Sequence, residues 1–184
     1  MLETIIIFLL LLVDQASKIA AERLLTQLPG NTFPVWEGVF HFTFAKNRGA
    51  SFGILQGQHW LLIPITLIAI CAIVFVLIRF HKRLHPLLRF SLALIVAGAI
   101  GNLIDRAFLG YVRDMLDFRL INFAVFNAAD SAVSVGAVLL GIDVLFCKKG
   151  RKLMAEWEEH GGKKKKRVPP AETAEHHPNG EDAP

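Results

Sequence analysis

The residues in this chain that could do chemistry together are aspartates and amides set in unusually apolar surroundings. Asp130 lies in VFNAADSAVSVGAVLLGIDVLFCKK, residues 125–149, with Asn127 three positions before it. A charged side chain in such a segment costs roughly 2.5–3.5 kcal/mol on insertion scales, so it is expected to face the protein interior and to have a function. No basic residue lies within a helical turn of Asp130, so its partner must come from elsewhere. The segment GYVRDMLDF, residues 110–118, offers Asp114 and Asp117. Two carboxylates held close together cannot both ionise readily and share a proton. The ionised member can take a proton from water while the neutral member donates one to a carbonyl oxygen. That is general base and general acid hydrolysis of an amide, and it needs no metal or other cofactor. Spacing alone leaves Asp114 and Asp117 open as the second acid.

The elements that must position these groups are membrane spans. Of 184 residues, 53% are apolar, and they gather into long runs. Trp60–Ile78 is broken only by Pro64 and Thr66 and is long enough to cross a bilayer. Four spans are expected, at about 2–21, 59–79, 87–108 and 124–147. The first has no basic residues before it and carries Asp14 and Lys18, so it reads as a span rather than a cleaved leader. The segment 31–58 alternates Phe40, Phe42 and Phe44 with His41 and Thr43 ahead of a turn at Asn47–Gly49, and predicts a small sheet at the membrane surface. The fold class is therefore an all-α membrane protein with four transmembrane helices, a small extracytoplasmic β-sheet and a disordered cytoplasmic tail. Residues 1–152 form the membrane domain and 153–184 the charged tail, which cannot build a core. Cys71 and Cys147 read as inert residues in the spans.

Charge orients the spans. The connection RFHKRLHPLLR holds Arg79, Lys82, Arg83 and Arg89, and Lys148, Lys149, Arg151 and Lys152 follow the last span. Excess Lys and Arg mark cytoplasmic loops, so both termini and this loop face the cytoplasm. Asn102, Asp105 and Arg106 then lie at the outer end of span three, and Asn127 and Asp130 at the outer end of span four. Asp14 and Lys18 fall in the outer half of span one. Asn102, Asp105 and Arg106 stand at i, i+3 and i+4 and are expected on one helix face, with Asp14–Lys18 and Asp105–Arg106 also able to serve as ion pairs that hold the bundle. Asp143, thirteen residues beyond Asp130, falls at the cytoplasmic boundary, where it can reach water or a cation.

Read in order, DQASK at 14–18, NRGASF at 47–52, GNLIDR at 101–106, GYVRDML at 110–116 and FNAADS at 126–131 resemble the lipoprotein signal peptidase (signal peptidase II) family. The resemblance implies a bacterial inner-membrane aspartic endopeptidase that cuts signal peptides from prolipoproteins just before a diacylglyceryl-modified cysteine. By motif position, Asp114 and Asp130 would be the catalytic pair. Asp14, Lys18, Asn47, Gly49, Asn102, Arg106, Asn127 and Ala129 would bind substrate or support the site. Partners would be lipid-modified prolipoproteins, membrane lipid and peptide antibiotics such as globomycin, with no nucleic acid, and the enzyme would act as a monomer.

Other classes fit less well. The polar residues form no trail toward the cytoplasmic side, as a proton-coupled transporter would need, and the chain shows no paired halves. There is no HExxH zinc motif and no GxSG serine motif.

Overall fold

The computed structural model describes residues 2–49 and 58–146. The expected tail, Cys147 and the end of the NRGASF motif lie outside the described residues. Four helices, α1 (Leu2–Leu25), α2 (His59–Arg79), α3 (Pro86–Leu109) and α4 (Ala128–Phe146), are long and apolar enough to cross a membrane. At 1.5 Å per residue, 19 to 24 residues span roughly 28–36 Å. Large apolar side chains such as Phe8, Leu12, Ile68, Phe75, Ile78 and Val138 are exposed on their outer faces, as lipid contact requires.

Helix ends follow local chemistry. Pro86 opens α3 with its fixed φ, and the His85 side chain caps it by accepting from Leu87 N at 3.3 Å. Gly110 closes α3 in the left-handed region, φ 74°, its N–H donating to Arg106 O.

α3 is the central helix and packs against the other three. Its approach to α4 depends on small residues. A Cβ on Gly98 would run into the Ala129 carbonyl oxygen, and one on Gly136 would lie 2.8 Å from Ser91 O. Such contact lets backbones approach where no hydrophobic drive separates protein from lipid. Ile70, Leu77, Leu84, Leu92 and Val96 form a core under α2 and α3. Cys71 is exposed on α2.

A three-stranded antiparallel sheet sits at one end of the bundle. It comprises β1 (Thr32–Trp36), β2 (Phe40–Asn47) and β3 (Val112–Asp117), in the order β1-β2-β3. The first two strands come from the segment expected to form a sheet. The third comes from what the sequence presents as a loop between spans. Five of its six residues are buried, so the half-exposed alternation that reveals a surface strand is missing.

Asp143 is 0% exposed and so does not reach water as expected, but it lies against the half-exposed N-cap of α3, with the His85 Nδ1 atom 3.3 Å from its Oδ1. The close α3–α4 contact at Gly136 brings the α3 N-terminus against it.

Candidate active site

The site is built where the end of α4, the middle of β3 and the polar end of α3 meet. Asp130 occupies the first turn of α4. Its Oδ2 accepts from Asn127 N at 3.2 Å, while Asn127 Oδ1 accepts from Asp130 N at 2.9 Å. This reciprocal capping box fixes the carboxylate at a helix N-terminus. Asp114 comes from β3, opposite Ala45 of β2, and is 1% exposed.

Two amides connect the acids. Asn127 Nδ2 donates to Asp114 Oδ1 at 2.6 Å, and Asn102 Nδ2 donates to Asp130 Oδ1 at 2.7 Å. Asn127 Nδ2 also donates to Asn102 Oδ1 at 3.1 Å. The orientation of Asn102 is fixed from behind by Lys18, whose Nζ donates to the same Oδ1 at 2.9 Å. Lys18 is fully buried and pairs with Asp14 at 2.8 Å. Asp14 Oδ1 accepts from Ala129 N at 3.0 Å, which ties α1 to the start of α4.

Asn47, Asn102, Arg106, Asp114 and Asp130 line one cavity of about 730 Å³. The polar floor gives way to Phe123–Phe126, and along α4 to Ser131, Ser134 and Val135. Arg106 Nη2 donates to Gly49 O at 3.0 Å, and Asn47 Oδ1 accepts from Gly49 N at 2.9 Å. Arg106 therefore brings a cation to the cavity while holding the end of β2. Asp14, Lys18, Gly49, Asn127 and Ala129 are not at the cavity wall but bond to residues that are or to one another.

Burial and then the neighbouring Asp130 charge push the Asp114 carboxyl up from 3.8 to about 7, against the opposing effects of Asn47, Asn127 and Lys18. Near neutral pH, Asp114 can hold a proton beside a carboxylate. Among the described residues no three His, Cys, Asp or Glu side chains converge as metal ligands.

Asp117, the other acid in GYVRDMLDF, is engaged elsewhere. Its Oδ2 accepts from Thr43 Oγ1 at 2.7 Å and from Arg119 Nε at 3.0 Å, and it does not line the cavity. Asp105 shares with Asn102 the face turned to Lys18, as the spacing predicts, but it forms no salt bridge with Arg106. It turns instead to Arg113, with Nη2 at 2.8 Å, and to Lys18 at 3.6 Å. Sequence reasoning left Arg113 and Gln15 without roles, although both lie inside the motifs it singled out. Neither has a helical-face neighbour that would have revealed its partner.

Four apolar spans and a small sheet over an acid-lined cavity define a membrane-embedded enzyme. Two solved structures, each described as a bacterial membrane enzyme, share this fold. One has a TM-score of 0.67 at 28% identity, covering 90% of this chain and 93% of its own. The other has a TM-score of 0.67 at 30% identity, covering 79% of this chain and 94% of its own. Residues 6–146 match the family described as signal peptidase (SPase) II. The chain is 46% identical over 147 residues to the lipoprotein signal peptidase of Clostridioides difficile (strain 630), covering 79% of this chain and 96% of that protein. It is 40% identical over 142 residues to the lipoprotein signal peptidase of Caldanaerobacter subterraneus subsp. tengcongensis, covering 77% and 94%. The chain belongs to the signal peptidase II family and is a membrane peptidase.

Proposed function

We propose that this chain is an aspartic endopeptidase that removes signal peptides from diacylglyceryl-modified prolipoproteins, cutting just before the lipidated cysteine. The observation that carries this reading is the linkage of Asp114 and Asp130 through Asn127 and Asn102 at one cavity. The family match and the lipoprotein signal peptidases among the relatives support the substrate.

Asp130 acts as base and Asp114 as acid. Asp130, fixed in the capping box, takes a proton from water as the water oxygen attacks the scissile carbonyl carbon. Asp114, which can hold a proton near neutral pH, gives it to the carbonyl oxygen. The tetrahedral intermediate then collapses. Asp130 passes its proton to the departing nitrogen of the cysteine, and Asp114 recovers one from the intermediate's hydroxyl. Arg106 and Asn47, both lining the cavity, would hold substrate backbone or lipid-ester oxygens.

The enzyme sits in the bacterial inner membrane with the sheet and cavity at the outer leaflet and both termini in the cytoplasm. Arg79, Lys82, Arg83 and Arg89, between α2 and α3, support that orientation. A diacylated substrate anchored in the bilayer then meets the acids with its cleavage site at the surface. A peptide antibiotic such as globomycin would block the same cavity, and the enzyme works as a monomer.

The test uses purified enzyme and a lipid-modified prolipoprotein. Asp114→Asn and Asp130→Asn each abolish cleavage while the protein still inserts and folds. Retained cleavage by Asp130→Asn overturns the mechanism.

A further inference from the structure

Arg113 is adjacent to Asp114 on β3, and strand alternation sends their side chains to opposite faces. Asp114 reaches the cavity, whereas Arg113 runs behind it between α1 and α3 and is 7% exposed. Its guanidinium and backbone grip one carboxylate at three points. Nη2 donates to Asp105 Oδ1 at 2.8 Å, while Nε and the backbone N donate to Oδ2 at 3.2 and 3.0 Å. Nη2 also donates to Gln15 Oε1 at 3.0 Å, and Nη1 faces Glu22 at 3.4 Å. Such fork geometry fixes orientation as well as distance.

Two further observations say what the grip is for. The β2–β3 register shifts between Phe42 and Ala45, and Ala45 is the partner of Asp114. The ladder is irregular beside the acid it carries, so backbone pairing alone holds that position weakly. Asp105 also lies 3.6 Å from Lys18, which must remain on Asn102 to keep that amide turned toward Asp130. Asp105 without its arginine would compete with Asn102 for the ammonium.

We propose that Arg113 is a positioning residue: its fork on Asp105 holds the Asp114 strand against α1 and α3 and leaves Lys18 to orient Asn102. The inference rests on the two-aspartate reading of the site.

The experiment uses the full chain purified in detergent with a lipid-modified prolipoprotein, and measures kcat, KM and the pH profile of kcat. Arg113→Lys keeps the charge and the fold but loses the fork. Arg113→Met loses both. A displacement of about 1 Å can cost roughly 100-fold in rate, and a loss of that order in kcat is expected for Arg113→Met, with a smaller loss for Arg113→Lys. KM changes little, because Arg113 does not line the cavity.

The alkaline limb of the pH profile should also move to lower pH in both variants. Asp114 would then sit farther from Asp130 and less deeply buried, still facing Lys18 and Arg106. Partial unfolding would scale the profile without moving it. Wild-type kcat in Arg113→Lys, or a reduced kcat with an unmoved limb in both variants, overturns the proposal. An active Asp114→Asn enzyme would instead overturn the two-aspartate reading, so the two failures are distinguishable.

Discussion

Asn127 and Asn102 face each other across the α3–α4 interface, with Asn127 Nδ2 3.1 Å from Asn102 Oδ1. Each amide also donates to a different aspartate, Asn127 to Asp114 and Asn102 to Asp130. The two acids therefore share one hydrogen-bonded frame even though they come from a strand and a helix. Lys18 fixes the sense of that frame by occupying the Asn102 oxygen.

Asn127→Ala removes the donor to Asp114 and the cap of α4 together. Loss of the cap costs about 0.5–2 kcal/mol and lowers the unfolding temperature modestly. Cleavage should fall much further than stability, because Asp114 loses the 2.6 Å contact that orients it. Thermal unfolding and kcat measured on one preparation separate the two effects.

The pH dependence follows from Asp114. Its carboxyl is pushed from 3.8 to about 7, first by burial and then by Asp130. The acid must carry a proton, so kcat should decline as pH rises through about 7. On the acid side it should decline again as Asp130 becomes protonated, giving a bell. Stability has the same sign from this group. Between 3.8 and about 7 the folded protein keeps a proton that the unfolded chain releases, so the Asp114 contribution weakens as pH rises. A kcat profile flat from pH 6 to 9 would contradict the acid role.

Asp117→Asn should leave cleavage within a few-fold of wild type. Its carboxylate serves Thr43 and Arg119 within the sheet and does not line the cavity. Complete inactivation, with Asp114→Asn active, would reverse the assignment of the acid.

Gly98→Ala and Gly141→Ala form a matched pair on facing helices. A Cβ on Gly98 meets the Ala129 backbone, whereas one on Gly141 meets nothing within 4 Å. Overpacking of this kind costs about 1–3 kcal/mol, so Gly98→Ala should lower the unfolding temperature and, by displacing Ala129 next to Asp130, the rate. Gly141→Ala should do neither. Unfolding curves and cleavage rates for the two variants check the contrast.

The sequence by itself determined the spans, because crossing a bilayer demands about twenty apolar residues in a row and that demand is written locally. It also determined which polar residues deserved notice, since Asp130, Asn102 and Lys18 stand out against apolar surroundings. The pairing of Asp14 with Lys18 could be read the same way, because partners four residues apart on a helix are set by the helix itself. Tertiary structure alone decided the rest. Strand β3 was hidden because burial on both faces removes the alternating signal. The pairing of Asp105 with Arg113 in place of Arg106 depends on how β3 docks against α1 and α3. Motif resemblance already favoured Asp114 over Asp117 where spacing left them open, but what puts Asp114 at the cavity is docking. Three residues along β3, one side chain meets Asn127 and the other meets Thr43 and Arg119, because those partners arrive from distant parts of the chain.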